Sequence, residues 1–322
     1  MRKKSIVAAI LVLFTTITIV VTSILQQPGS GKEYIIRIGY LPLTANLPLF
    51  VALERNLFEE EGLNVETKKF ESSNQMVEAL VTGRIDVETA ASSSVTVTVG
   101  QKLANKIDVF MLNAFTPEDF LSSILVKENS SIVSAQGLNG KKIGTFPGST
   151  MRMYTEMVLT SLEVKAGEVI QLPPPTQLGA LDTGSVDALM TLEPLGTLAE
   201  VKKIGRKLVT APVETHVLNP WVAGTNSFSS DFVGNYPKLA ERLRKIFYRA
   251  VDYIRLNPAD AKKTMIGFTP VTDEGLASRL TIPNYWKTDE MQVSDFQDMA
   301  DNLLHHGEID NNVDVADLIM QR

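Results

Sequence analysis

"ALVTGRID" at residues 79–86 returns at residues 180–187 as "ALDTGSVD". Ala, Leu, Thr, Gly and Asp recur at the same offsets, and Ile85 is matched by Val186. Each phrase reads as the end of a helix and the start of a strand. Ala and Leu face inward in the last helical turns. Thr-Gly ends the helix, because glycine tolerates the left-handed conformation of a Schellman-type cap. An apolar residue then opens a strand and Asp follows, so Asp86 and Asp187 read as parts of an architectural joint. Written twice about a hundred residues apart, the joint predicts two similar α/β units. Each strand it feeds ends about six residues on, at "ASSS" (91–94) and at "EP" (193–194). Ligands of open α/β sheets bind beyond the carboxyl ends of strands. The repeat therefore points to two loops, one per sheet, facing each other across a cleft.

The pattern extends outward from both copies. "YIIRIGYLP" (34–42), "LNVETKKF" (63–70), "RIDVETAAS" (84–92) and "IDVFMLNAF" (107–115) read as strands with helical stretches between them. "SSVTVTVGQKLAN" (93–105) is the ambiguous one: its Val and Thr content suits a strand, its position a helix. The alternation restarts at "KKIGTF" (141–146) and runs to "RKLVTAPV" (206–213). Strands alternating with helices predict βαβ units and mainly parallel sheets. Beyond about residue 228 helices dominate. "YPKLAERLRKIFYRAVDYIRLNP" (236–258) is strongly amphipathic and stopped by Asn257-Pro258.

The 322 residues are 44% hydrophobic, enough for a large core, and carry a net charge of -6 with no basic patch after the first residues. Nucleic acid is therefore not an expected partner. Cysteine is absent, which excludes disulfides, thiolate metal sites and thiol nucleophiles. "MRKKS" puts three positive charges ahead of an uncharged run from Ile6 to Leu25, and the polar linker "QQPGSGK" follows. Charge, apolar run and polar release is the order of an export segment. Residues 1–33 are therefore expected to be a signal peptide or a membrane anchor plus linker, with the remainder extracytoplasmic.

Five stretches in this order resemble the substrate-binding proteins of ABC importers in the nitrate, sulfonate and taurine group, which also includes binders of thiamine-pyrimidine precursors. They are "IRIGYLPLTANLPLFVALERNLFEEEGLNVE", "ALVTGRIDVETAASSS", "GLNGKKIGTFPGST", "GSVDALMTLEP" and "GEIDNNVDVADL". The resemblance implies a two-lobe periplasmic-binding-protein type 2 fold, joined by two hinge crossings near "FLSSILV" (120–126) and "NPWVAGT" (219–225). Lobe one would comprise 34–124 and the helical 226–322, and lobe two 125–225. It also implies a monomer that closes on a small solute, without cofactor or metal, and delivers it to an ABC permease and its ATPase. A tethered ligand sensor with the same lobes is the alternative.

Candidate site residues follow from the strand ends. "PGST" (147–150) opens a helix: Gly148 permits close backbone approach, and Ser149 and Thr150 add hydroxyls to free N–H groups, an arrangement suited to an anion. It lacks the lysine of a P-loop. Arg152 either pairs with an anion or faces solvent. Ser92, Ser93 and Ser94 offer hydroxyls at another strand end, where they serve the ligand or cap a helix. Thr44 and Asn46 of "PLTAN" follow the first strand, where the family places binding groups. Glu193 suits an amine or a heterocycle better than an anion, or braces the helix beginning at Pro194. Trp221 either stacks on a flat ligand or packs in the core.

A sulfonate- or nitrate-like anion leads, with a pyrimidine-like heterocycle as the alternative. Enzymatic constellations are scarce. His216 stands alone, His305 and His306 are adjacent, and no HExxH or GxSxG occurs. The cysteine motifs of pyrimidine synthases and dipyrromethane-bearing deaminases on similar folds are also missing, so the expectation is a binder and not an enzyme.

Overall fold

Gly83 and Gly184 adopt φ of 70° and 76°, and each ends its helix with the same pair of bonds. Arg84 N–H donates to the Ala79 carbonyl at 2.8 Å and Gly83 N–H to Leu80 at 3.0 Å. In the second copy Ser185 donates to Ala180 at 2.9 Å and Gly184 to Leu181 at 3.2 Å. These are the crossed bonds of a Schellman cap.

The aspartates then act alike. The Asp86 N–H donates to the Arg37 carbonyl at 2.8 Å, and its carboxylate accepts the Arg37 N–H at 2.8 Å and the guanidinium at 2.6 Å. Asp187 donates to the Lys142 carbonyl at 2.9 Å and accepts the Lys142 N–H at 2.9 Å. Each Asp clips the returning strand to its neighbouring strand and so sets their register. Asp86 is buried and makes more bonds than the half-buried Asp187. Asp86→Ala is expected to cost about 3 kcal/mol and Asp187→Ala about 1 kcal/mol in urea unfolding. Equal losses would contradict this account.

The computed structural model describes residues 34–321; the expected signal or anchor, within residues 1–33, lies outside them. Among the described residues no helix is long and apolar enough to cross a membrane. The first run comprises β1 (Ile35–Tyr40), α1 (Leu47–Glu54), β2 (Asn64–Lys69), α2 (Ser73–Val81), β3 (Val87–Ser92), α3 (Ser93–Leu103) and β4 (Ile107–Phe115). The second comprises β5 (Ser122–Lys127), β6 (Lys142–Thr145), α4 (Ser149–Ser161), β7 (Glu168–Gln171), α5 (Pro174–Thr183), β8 (Ala188–Leu192), α6 (Leu195–Val201), β9 (Gly205–Thr210) and α7 (Pro212–His216). The chain then continues through β10 (Trp221–Ser229), α8 (Pro237–Leu256), β11 (Asn284–Lys287) and α9 (Val293–His305). The ambiguous segment 93–103 is helical: one face, including Thr96 and Val97, is buried, so packing overrides its β-branched composition. In α8, Leu243, Ile246, Phe247, Ala250, Val251 and Ile254 form a buried stripe at helical spacing.

The strands form two sheets, β11-β4-β10-β3-β1-β2 and β7-β6-β8-β5-β9. The α/β fold with two sheets is as expected, but the expectation of mainly parallel sheets needs correction. Pairing is parallel in β1–β3, β6–β7 and β6–β8, and antiparallel wherever β10 or β5 joins a neighbour. Each sheet receives one strand directly from the other sheet. That strand starts at the cleft, where the βαβ strands end, and so runs against them.

The chain leaves the first sheet between β4 and β5 and returns between β9 and β10. A single buried carboxylate joins the two passages. Glu214 of α7, on the return path, accepts the backbone N–H groups of Leu121 at 2.7 Å and Ser122 at 3.0 Å. It also accepts the Ser122 hydroxyl, whose oxygen takes the Val213 N–H at 3.1 Å. Burial pushes the Glu214 pKa up, and the Ser122 and backbone bonds draw it partly back.

Candidate functional site

A cavity of about 490 Å³ lies where the two sheets' strand ends meet. The first sheet and its connections contribute Leu41, Leu43, Ala90, Ser92, Phe115 and Trp221; the second contributes Phe146, Gly148, Ser149, Thr150, Leu192 and Leu195. Most of the wall is aliphatic or aromatic. Lys69, Glu71 and Lys202 are exposed residues at its margin.

Hydroxyls and helix ends supply the polarity. α3 and α4 begin at this cavity, one from each sheet, and no side chain caps either N-terminus. The first-turn N–H groups of an α-helix have no intrahelical partner and carry partial positive charge. The Ser92 and Ser94 hydroxyls lie 2.8 Å apart at the start of α3, and both residues line the cavity. At the start of α4 the backbone turns through Gly148 at φ 116°, a conformation that β-carbon-bearing residues avoid. Gln171 holds the Gly148 N–H at 3.1 Å. Two such helix ends facing one space can hold an anion without a bound cation.

Six of the expected residues therefore lie on the cavity wall: Ser92, Ser94, Gly148, Ser149, Thr150 and Trp221. Trp221 is 3% exposed and meets Tyr154 edge to face at 5.4 Å. Neither its indole N–H nor the Tyr154 hydroxyl has a hydrogen-bond partner of good geometry.

Five others are not brought to the wall. Asn46 is turned inward, its amide donating to the Leu41 carbonyl at 2.7 Å, and Thr44 is buried beside it, whereas the intervening Ala45 lines the cavity. Ser93 donates to the Val222 carbonyl at 2.5 Å and so ties α3 to β10. Glu193 is 1% exposed; it accepts the Thr197 N–H at 3.0 Å and pairs with Lys207 at 3.0 Å, bracing the first turn of α6. Arg152 pairs with Glu156 on the exposed side of α4.

The apolar wall itself is not announced by residue type. Leu41, Leu43, Phe115, Phe146 and Met151 have the composition of ordinary core. The available signal is position, since Leu41, Leu43, Phe115 and Phe146 lie at or within a few residues of a strand end and Met151 in the helix turn that follows one.

A family model described as the NMT1-like family matches residues 30–267. The chain belongs to the NMT1-like family. Among proteins similar to this NMT1-like chain is one of Bacillus subtilis (strain 168) named for binding aliphatic sulfonates; it is 27% identical over 281 residues, 84% of this chain and 82% of that protein. A taurine-binding periplasmic protein of Escherichia coli (strain K12) is 26% identical over 208 residues, 63% of this chain and 61% of that protein. The fold matches the alkanesulfonate-binding protein SsuA of Xanthomonas axonopodis pv. citri with a TM-score of 0.72 and 18% identity, over 91% of this chain and 100% of that one. These relatives are solute-binding proteins and not enzymes.

Proposed function

We propose that this NMT1-like protein is the extracytoplasmic solute-binding component of an ABC importer. It captures an anion with an apolar tail, such as an aliphatic sulfonate, and presents it to a permease driven by its ATPase. The observation that carries the reading is a largely apolar cavity with two uncapped helix N-termini on its wall, and with the hydroxyl residues Ser92, Ser94, Ser149 and Thr150 at those helix starts. Relatives named for sulfonates and taurine support it. A volume of about 490 Å³ is in the range of pockets for organic ligands and argues against nitrate as the preferred solute. Of the two residues that suggested a heterocycle, Glu193 is engaged by Thr197 and Lys207, and Trp221 remains on the wall, so the heterocycle stays the second reading.

In this mechanism the lobes hinge about the two passages that Glu214 joins. A solute touching both helix ends stabilises the closed arrangement over the open one by its differential affinity. The chain is taken to be exported or anchored by residues 1–25 and to work as a monomer.

Calorimetry on residues 31–322 with alkanesulfonates of increasing length, taurine, nitrate and a pyrimidine tests the assignment. Affinity should rise along the alkyl series by up to ~0.8 kcal/mol per methylene, with taurine and nitrate weaker. A series with no length dependence, or with no binding at all, overturns it. Replacing Ser149 and Thr150 together by Ala should weaken the best alkanesulfonate by about 2 kcal/mol, the scale of lost charge-assisted bonds, and leave the melting temperature nearly unchanged. Unaltered affinity would show that this helix end only starts α4.

A further inference from the structure

Beneath the cavity wall lies a buried polar network centred on Glu88. Glu88 of β3 is fully buried. One carboxylate oxygen accepts the Ala91 N–H at 2.9 Å; the other accepts the Thr225 hydroxyl at 3.0 Å and the Ser227 hydroxyl at 2.5 Å. Both hydroxyls come from β10, the strand that returns across the hinge. Between them Asn226 accepts the Ala90 N–H at 3.1 Å and donates to Asn113 at 2.9 Å, at a shift in the β10–β3 register. Asn113 in turn donates to the Ala45 carbonyl at 3.1 Å.

This network surrounds a strained point. Ala90 has φ of 52°, a left-handed conformation that costs a non-glycine residue on the order of 1 kcal/mol and persists only where its surroundings hold it. Ala90, Ser92 and Ala45 all line the cavity. Glu88 and Asn226 grip the two successive N–H groups, of Ala91 and Ala90, that define the turn of the wall.

The hydroxyl geometry adds a second link. While Glu88 is ionised, Thr225 spends its proton on the carboxylate, so the Thr96 hydroxyl, 2.7 Å away, donates to Thr225. When Glu88 carries a proton at that oxygen it can donate to Thr225 instead. Thr225 then donates to Thr96, and Thr96 turns to the Ser92 carbonyl at 3.4 Å. No new proton is needed beyond the one on Glu88; each hydroxyl only reverses its donor and acceptor roles.

We propose that Glu88 is a positioning residue for the solute site, holding the Ala90–Ser92 wall and coupling its own protonation, through Thr225 and Thr96, to that wall. The proposal rests on the solute-site reading above. Burial raises the Glu88 pKa to about 7, with the Ser227, Ala91 and Thr225 bonds lowering it in part, so the switch falls in the neutral range. The titratable groups of the elements packed on β3 are Arg37 and Tyr40 of β1, Glu78 of α2 and Lys102 of α3; β10 and the 44–46 turn carry none. Arg37 is paired with Asp86 and Glu78 with Arg84. Lys102 is exposed, and Tyr40 packs on Phe50 at 5.8 Å.

The test uses hexanesulfonate, whose charge is constant across the range, with wild type and Glu88→Gln between pH 5.5 and 8.5. An ionised Glu88 repels the anion, so wild-type affinity should fall as pH rises through about 7, by a factor on the order of ten for one charge acting through protein. Glu88→Gln should show a flat profile. In wild-type protein without solute, the Ala91 and Ser92 amide resonances should shift with the same midpoint, a readout that does not depend on the variant folding. Identical pH profiles for the two proteins, or amides that do not titrate, overturn the proposal. If hexanesulfonate binds neither protein while the amides titrate, the solute reading falls and the coupling of Glu88 to the wall stands.

Discussion

Ala223→Phe is expected to abolish solute binding while leaving the protein folded. Ala223 lines the cavity beside Trp221, at a shift in the β10–β4 register between Val222 and Gly224. A phenyl ring there occupies space the solute needs, and the cavity can take up the ring without displacing close-packed core. Affinity for the best alkanesulfonate should drop at least ~100-fold, or about 2.8 kcal/mol. The unliganded melting temperature should move by only a few degrees, as for a modest overpacking cost. Calorimetry and thermal melts on the two proteins check both halves. Undiminished affinity would place the solute somewhere other than between the sheets.

Glu214→Ala should produce the largest stability loss. It removes the acceptor of two backbone N–H groups and one hydroxyl, all at the first passage between the sheets. Unmatched buried donors cost ~1–3 kcal/mol each, and partial relaxation brings the total to about 4 kcal/mol. That is a large share of a stability of ~5–15 kcal/mol. Urea unfolding at neutral pH measures it.

The pH dependence has a definite sign. The folded pKa of Glu214 is raised from 4.5 by burial. Its favourable contribution is therefore fully present below the unfolded value and is lost as pH rises through the folded one. Wild-type stability measured against Glu214→Gln should accordingly decline as pH increases above about 4.5. A wild-type advantage that grows with pH would mean the carboxylate is favoured in its ionised form, contrary to the effect of burial.

Much of the scaffold was legible before any coordinates. The repeated phrase announces its caps through Thr-Gly and its strand starts through Ile85 and Val186, because these are local requirements of backbone conformation. The stripe of α8 declares its buried face for the same reason. "PGST" announces a helix start at a strand end, and that strand end reaches the cavity.

Other features depend on partners distant in sequence. β11 is a four-residue edge strand whose pairing is supplied by β4, so nothing within 284–287 marks it as a strand. Glu193 and Ser92 both sit at strand ends of the same kind; only the approach of Lys207 and Thr197 turns one inward, while the other remains on the cavity wall. Glu88 and Glu214 read as ordinary polar residues until β10 and the passages between the two sheets close over them.

The chain alone thus determined two α/β units, where their helices stop, and which loops face one another, since caps and periodicity are set by neighbours within a few residues. Tertiary structure decided which of those loop residues line the cavity between the sheets, that its wall is mainly apolar, and that Glu193 and Glu214 serve as buried braces. Burial and pairing partners belong to the assembled sheets, and no short stretch of sequence carries them.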